Sequence, residues 1–484
     1  MLSRNIDENL NAFRAKIKDC DDIKERTMFL GPSGNVKASI FYVEVALNNL
    51  TVSESVIGKF ICQMMDMPKE KQYQFLKNNA LGITDVKELA TIDEAIMGVM
   101  IGDGVFFIDG YDKALKIKSK GYPNIGVSFS QNEKAVRGCK ESFCDALKAN
   151  TALVRKRIRN PALKVKERII GKLTKTTVAI MYIEPLTRPS VLDRINSMLD
   201  QMENDLEYIH DSGIIEQLTE SSPFSPFPQY ETTERPDKAA MSLMDGRIVL
   251  LVDNSPLVLI LPTFYSSFFK TADDYFSRYS VVSLARIIRY IASFFAITLP
   301  AIYVAALLYN PEIIPKKLLY TLYEARIDVP FSITTEVLLM ELAFELLKEA
   351  GIRIPGPSNN TIGIVGGLIV GQAAVSAGLV SPIIVVIVAL TALASFAIPS
   401  EEMASAFNFI KYIQIFMAHF LGIFGIIAGW IFIIVHLIRL NSFGFPYLMP
   451  SVSRDIYTDN KDNFIRAPFI LMKKVSIFRN NKEK

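Results

Sequence analysis

Apolar residues are distributed unevenly along this chain of 484 residues. Residues 1–286 mix apolar and charged positions as soluble domains do, whereas residues 287–440 are much more apolar. Segment 290–311 carries no charge and is long enough to cross a bilayer once. Residues 361–400 form a second uncharged run with room for two passes, and Ser381-Pro382 supplies the turn because proline stops a helix. The pattern predicts a soluble domain followed by an α-helical multi-pass transmembrane domain.

The predicted spans are four in number, since residues 412–438 add one long pass that tilting could absorb. The spans are 290–311, 361–380, 382–399 and 412–438. Basic residues precede the first span and follow the last, namely Arg278, Arg286, Arg289, Arg439, Arg454, Lys473 and Lys474. The positive-inside rule then places both the N-terminal domain and the C-terminal tail in the cytoplasm, with Glu401 and Glu402 on the outer side.

Residues 312–350 do not fit a simple external loop and are predicted to be amphipathic or re-entrant. An apolar helical stripe runs through Ile333, Val337, Met340, Phe344 and Leu347. An acidic stripe at i, i+4 spacing comprises Glu341, Glu345 and Glu349, and like charges at that spacing repel. Two interpretations stay open: a solvated face of a surface helix, or a possible cation path lined by carboxylates.

The sequence GIVGGLIVGQAAVSAG at 363–378 is the most unusual stretch of the apolar half. Gly363, Gly367 and Gly371 recur every four residues, which is the small-residue spacing that lets transmembrane helices approach closely. Ala374 and Gly378 extend this narrow face. Gln372 lies at its edge, and an amide in hydrocarbon needs a polar partner. The stretch is a helix interface within one subunit or a pore face between subunits.

The soluble half contains an internal repeat. Residues 92–110 align without gaps onto 236–254, with identical pairs at Asp93/Asp237, Ala95/Ala239, Met97/Met241, Met100/Met244, Gly102/Gly246 and Asp109/Asp253. The strand upstream repeats too, because Ile40, Tyr42 and Glu44 match Ile180, Tyr182 and Glu184. We therefore predict two tandem related α/β subdomains. The resulting divisions are a leader 1–30, subdomains 31–130 and 160–265, a connecting helix 131–159, a juxtamembrane segment 266–286, the transmembrane domain 287–440 and a tail 441–484.

Two apolar runs, RIVLLV and LVLIL, flank the turn DNSP in the second copy. Both runs are apolar on both faces, so they predict a buried β-hairpin.

A basic cluster, Arg155, Lys156, Arg157 and Arg159, lies near the end of the connecting helix. A solvated helix end suits the helix dipole, and attraction to the headgroups of membrane lipid is the second interpretation. Nucleic-acid binding ranks last, since the net charge of +3 is too small to favour it.

The chain carries none of the common catalytic motifs: no G-x-S-x-G elbow, H-E-x-x-H helix or Walker A loop. Its three histidines, at 210, 419 and 436, lack a second ligand at helical spacing, and its four cysteines lack C-x-x-C spacing. These residues predict a non-enzyme without metal or cofactor, with reduced thiols.

Several longer motifs together resemble the A subunits of GerA-type spore germinant receptors, including the related SpoVA-cluster protein of the same architecture. They are NTALVRKRIRNP, YIE, TERPDKAAMSLMDGRIVLLVDNSP, DDYFSRYSVVSLARIIRY, FELLKEAGIRIP, GIVGGLIVGQAAVSAG and SFGFPYLMP, within about residues 31–450. One departure is VDNSP, where Asp-Gly-Ser-Pro is expected; a turn tolerates either residue.

The resemblance implies a place in the inner spore membrane and partnership with a permease-like B subunit and a lipoprotein C subunit. It also implies a homo-oligomer that conducts ions once nutrient is sensed. A non-conducting scaffold and signalling subunit is the alternative, and a transporter is disfavoured because four spans without membrane repeats fit alternating access poorly.

Overall fold

The computed structural model describes residues 1–31, 34–46, 67–78, 86–118, 133, 138–209, 212–213, 215, 222–353, 370–451, 462–468, 470 and 478–479. Within them the chain forms two five-stranded antiparallel sheets with helices, followed by a helical domain.

The first sheet has the strand order β1-β2-β4-β5-β3. Its strands are β1 (Ile23–Leu30), β2 (Val36–Val43), β3 (Val86–Leu89), β4 (Gly104–Ile108) and β5 (Ala114–Ile117). Its helices are α1 (Ile6–Lys16), α2 (Lys69–Asn78) and α3 (Ile92–Met100). Phe13, Phe41 and Phe107 pack ring against ring in the core between this sheet and its helices.

The second sheet repeats that order as β6-β7-β9-β10-β8. Its strands are β6 (Leu163–Ile170), β7 (Thr176–Ile183), β8 (Glu231–Thr233), β9 (Ile248–Val252) and β10 (Val258–Leu261). Helices α4 (Leu147–Arg157), α5 (Pro189–Asp205) and α6 (Pro236–Met244) accompany it. Strands β9 and β10 are buried at every position, which confirms the predicted buried hairpin.

The aligned residues of the two copies occupy equivalent places. Gly102 and Gly246 follow the nine-residue helices α3 and α6, and both have positive φ, +97° and +89°. That conformation ends a helix at little cost only for glycine. The amide of Asp109 donates to Lys37 in β2, and the amide of Asp253 donates to its counterpart Thr177 in β7. The sequence repeat is therefore a repeat of turns and hydrogen bonds.

The helical domain contains α7 (Tyr279–Leu308), α8 (Lys316–Glu324), α9 (Ile333–Arg353), α10 (Pro382–Phe396) and α11 (Glu401–Arg439), and then a small hairpin of β11 (Asn441–Ser442) and β12 (Phe445–Pro446). Two of these helices, α7 and α11, are long and apolar enough to cross a membrane. Helix α7 begins eleven residues before the predicted span 290–311. Residues 361–369 of the predicted span 361–380 lie outside the described residues, and residues 370–376 are helical.

Helix α11 reverses direction at Gly422, so the predicted single span 412–438 is wrong. The backbone there has φ +60° and ψ −138°, far from helical values. A Cβ placed on Gly429 would lie 2.6 Å from the side chain of Gln414, although fifteen residues of straight helix would separate the two by about 22 Å. The two legs, 401–421 and 423–439, therefore run antiparallel in close contact.

Both ends of α11 consequently lie beside the second sheet. Near its start, Glu402 accepts a hydrogen bond from Thr232 in β8. Near its end, His436 Nε2 lies 2.8 Å from Ser225 Oγ. The turn at Gly422 is at the opposite end of the domain, against Tyr309 after α7. The prediction that Glu401 and Glu402 lie on the outer side is wrong, because the chain reverses once more than the hydropathy pattern indicates.

Candidate functional site at the junction of the α/β and helical domains

A buried cluster of ionised groups joins the start of α7 to the segment before it and to the C-terminal tail. Arg286 Nε donates to Asp274 Oδ2 at 2.8 Å, and its Nη1 donates to Asp462 Oδ1 at 2.7 Å. Arg289 Nη1 reaches both oxygens of Asp274 at 3.0 Å. Arg286 and Asp274 are almost completely buried. We call these four residues the junction cluster.

Local sequence fixes the acidic side of the junction cluster. Thr271 and Asp274 form a capping box around the 3-10 turn Ala272–Tyr275, which orients the Asp274 carboxylate toward α7. Arg286 and Arg289 then lie three residues apart on one face of that helix. The charge pattern predicts these arginines as flanking charges before a span, whereas the structure places them inside the helix and in ion pairs.

The tail completes the junction cluster. Asp462 accepts from the Tyr275 hydroxyl at 2.7 Å and pairs with Lys270 at 3.2 Å. Arg466, also buried, donates to the carbonyl oxygens of Asp274 and of Ser277. Charge-assisted bonds thus fix the tail to α7 and to the segment before it, although Asp462 is 176 residues beyond Arg286 in sequence.

The neighbouring cations lower the pKa values of the Asp274 and Asp462 carboxylates. Burial alone would raise the pKa of Asp274, but hydrogen bonds from Arg289 and Arg286 outweigh it and hold the pKa below its usual value. Burial likewise opposes ionisation of Asp462, and Lys270 and Arg286 bring its pKa below the usual value. Both groups are ionised at neutral pH, which the buried arginines require.

A polar cavity of about 390 Å³ adjoins the junction cluster and is lined in part by Arg289. It lies between β8, the turn 271–273 and the start of α11. Its charged side chains are largely paired with one another: Lys238 lies 2.7 Å from Glu133 and 3.2 Å from Glu231. The arrangement binds protein segments together. Among the described residues, no three His, Cys, Asp or Glu side chains are grouped so as to hold a metal ion.

The acidic stripe of the predicted cation path does not share one environment. Glu341 is buried and its Oε2 accepts from Lys411 Nζ at 2.6 Å, with both side chains at most 3% exposed. Glu345 is partly exposed and lies 3.9 Å from Lys348, and Glu349 is exposed. The interpretation as a solvated face is therefore wrong for Glu341. Lys411 was missed because a lone lysine before an apolar run looks like the edge of a span.

The glycine-rich stretch is only partly described. Gly363 and Gly367 lie outside the described residues. Gly371 packs against α10, since a Cβ there would lie 3.0 Å from Val385 Cγ1, and Ala374 packs on the same core. Gln372 is exposed on the surface of the chain. Gly378 lies in the turn after the helix with φ +67°, so it does not extend the helical face as predicted.

The basic cluster is not one surface. Arg155 is fully buried, donates to both oxygens of Asp22 at 2.8 Å, and also donates to the carbonyl oxygen of Leu163 at 2.9 Å. Lys156 and Arg157 both pair with Glu141. Arg159 is exposed. The surface interpretation is wrong for Arg155. Its guanidinium pairs with Asp22 in the interior, where the second α/β unit meets the loop before β1.

Comparison with known proteins places this chain among spore germination proteins. A family model described as Bacillus/Clostridium GerA spore germination protein matches residues 11–477. Spore germination protein KA of Bacillus subtilis is 36% identical over 450 residues, which cover 93% of this chain and 82% of that one. Spore germination protein A1 of the same organism is 36% identical over 466 residues, or 96% and 94% of the two chains.

One solved structure is similar to the N-terminal part. It is the N-terminal domain of the A subunit of the Bacillus megaterium spore germinant receptor GerK3, with 27% identity and a TM-score of 0.44. The match covers 55% of this chain and 97% of that one.

Proposed function

The chain belongs to the GerA family of spore germination proteins, and on this premise we propose that it is the A subunit of a spore germinant receptor. It acts in the inner spore membrane with a permease-like B subunit and a lipoprotein C subunit. The α/β domain and the tail face the cytoplasm. Several copies assemble into a ring that conducts ions when the complex senses nutrient.

Helix lengths support insertion of the helical domain. At 1.5 Å per residue, α7 is about 45 Å long and the legs 401–421 and 423–439 of α11 are about 31 Å and 25 Å, against a hydrocarbon core of about 30 Å. Exposed Arg278 and Arg439 lie at the ends next to the α/β domain, which suits a cytoplasmic face. In this arrangement α7 and both legs cross the membrane.

The buried pair Glu341–Lys411 is the main structural observation in support of ion conduction. Glu341 is the ninth residue of α9 and Lys411 the eleventh of the first leg of α11, so the pair lies near the middle of the domain. Ionisable groups at that depth are costly, and a buried ion pair contributes little net stability. We infer that the pair closes a cation path in the resting state. Opening separates it, and Glu341 then faces water with Glu345 and Glu349.

The exposed amide of Gln372 supports assembly. A polar side chain on the outside of the helical domain needs a partner or water within the bilayer. A second copy of the chain supplies that partner when the segment 361–380 packs around the conduction path. Gly363 and Gly367 belong to the same proposed interface.

Ion flux in liposomes tests this function. The chain is reconstituted with its B and C partners, germinant is added, and potassium release is measured. We expect Glu345→Gln and Gln372→Ala to change the flux while the complex still assembles on size-exclusion chromatography. Leu346→Ala is the matched control, because Leu346 is on the same helix, exposed and uncharged, and should leave the flux unchanged.

A wild-type complex that assembles, responds to germinant in spores and never raises flux would refute conduction. It would favour the scaffold and signalling alternative. The junction cluster supports that alternative, since it can transmit movement between the C-terminal tail and α7 without any pore.

A further inference from the structure

The loop 222–230 presents one fully exposed aromatic side chain. Phe224 is 98% exposed, whereas Phe227, three residues later, is buried against Phe407 of α11. A single exposed apolar side chain is common on protein surfaces, so the significance of Phe224 depends on what lies beside it.

The loop is held firmly in this position. Its turn is closed by the Ser225 amide bonded to the Ser222 carbonyl oxygen, and Gln229 Nε2 donates to the same oxygen at 3.0 Å. Tyr447 and Ser442, after α11, donate to the carbonyl oxygens of Pro228 and Gln229 at 2.5 and 2.9 Å. Prolines 223, 226 and 228 restrict the backbone further. The loop therefore holds Phe224 outward.

The position of the loop identifies the partner. Ser225 Oγ lies 2.8 Å from His436, one turn before exposed Arg439 at the end of α11. On the face of His436 the helix is apolar and exposed one turn earlier, at Phe432. The Ser225–His436 contact holds the adjacent Phe224 beside this surface, at the level where Arg439 begins the polar region. Aromatic side chains concentrate at this level of a bilayer.

We propose that Phe224 inserts into the cytoplasmic lipid–water interface and anchors the second α/β unit to the membrane surface beside α11. The inference rests on the proposed insertion of the helical domain. Its partner is the bilayer itself, and a second copy of the chain or another protein is an outcome of the test.

Depth-dependent tryptophan quenching tests this proposal. The chain has one tryptophan, Trp430, so Trp430→Phe provides a background in which Phe224→Trp introduces the only tryptophan, which is excited selectively over the tyrosines. The full chain is reconstituted in nanodiscs whose lipids carry bromine near the headgroup end or near the methyl end of the acyl chains. We expect a blue-shifted emission from Phe224→Trp and stronger loss of fluorescence with the shallow bromines.

Two control variants are matched to this measurement. Phe29→Trp, exposed on β1, should be quenched by neither lipid, and Phe432→Trp, on α11, should be quenched by the brominated lipids. Emission from Phe224→Trp that resembles Phe29→Trp overturns the proposal, as does a blue shift without quenching, which would indicate a protein partner. Absence of Phe432→Trp quenching would instead overturn the insertion of the helical domain.

Discussion

The buried pair Asp22–Arg155 gives a prediction that can be worked through from the structure. Substitution Asp22→Asn removes one charge and leaves the Arg155 guanidinium fully buried, with the carbonyl oxygens of Asn160 and Leu163 as its remaining strong acceptors. The Asp22–Arg155 pair joins two parts of the α/β domain that are 133 residues apart in sequence. We expect local opening of this contact well before global unfolding.

The magnitude follows from the cost of an uncompensated buried charge. Breaking a buried ion pair by removing one partner costs about 3–5 kcal/mol, whereas replacing both partners by apolar residues is often neutral. Since every 1.4 kcal/mol is about tenfold in an equilibrium constant, Asp22→Asn raises the open fraction about 10²-fold or more. The double variant Asp22→Leu with Arg155→Met recovers most of that loss.

Cys20 reports the opening, because it lies at the same contact. It is buried, its Sγ is 3.4 Å from the Leu163 carbonyl oxygen, and burial and Asp22 raise the pKa of its thiol above the usual value. Alkylation of the Cys20 peptide, followed by mass spectrometry, measures the open fraction while closing is faster than the reaction. Alkylation should accelerate about 10²-fold in Asp22→Asn and little in the double variant.

Arg159→Met is the control variant, because it also removes a basic residue near the end of the same helix. Arg159 is exposed, so its loss should leave Cys20 protected from alkylation. An unchanged alkylation rate in Asp22→Asn would refute the assignment of a structural role to the pair. Equal acceleration in the single and double variants would refute the argument that the uncompensated charge causes the loss.

Two further predictions concern the helical domain and its junction. The lowered pKa of Asp274 and Asp462 means that their ion pairs stabilise the folded chain fully above the ordinary carboxyl pKa of about 3.9, and that this contribution is lost as pH falls through the lower folded values. Digestion by an acid-active protease should therefore begin to cleave the tail only in that acidic range, and Asp462→Asn should move the onset to higher pH; an unchanged onset would contradict this. Gly422→Ala should cost about 1–3 kcal/mol, because φ +60° with ψ −138° is accessible almost only to glycine, and its Cβ would lie 3.1 Å from the Tyr309 ring. Thermal denaturation in detergent should show a lower midpoint, and an unchanged midpoint would contradict the reversal at this residue.

The α/β domain was largely predictable from sequence because its information is local. Alternation of apolar residues, the turn glycines at 102 and 246, and the repeated order of motifs are all readable along the chain. The two sheets follow that order strand by strand. The comparisons confirm the family resemblance, which rested on long motifs of the same kind.

The helical domain and the buried charges were less predictable because their information is not local. Gly422 is one glycine in an otherwise continuous apolar run, and only its backbone angles reverse the chain. Lys411 finds its partner Glu341 70 residues away, so the sequence offers a lone charge that resembles a span boundary. Arg155 stands among three other basic residues, and the one with a buried partner cannot be distinguished from them by spacing.

These buried ion pairs have a common consequence for movement. Asp22–Arg155 joins the two α/β units, the junction cluster joins the tail and α7 to the segment before α7, and Glu341–Lys411 joins α9 to α11. Separating any of these buried pairs without a new partner for the charges loses several kcal/mol. A rearrangement that leaves all of these pairs intact avoids that cost. In the proposed function the Glu341–Lys411 pair is the one that separates, so Glu341 must then gain water or another cation as its new partner.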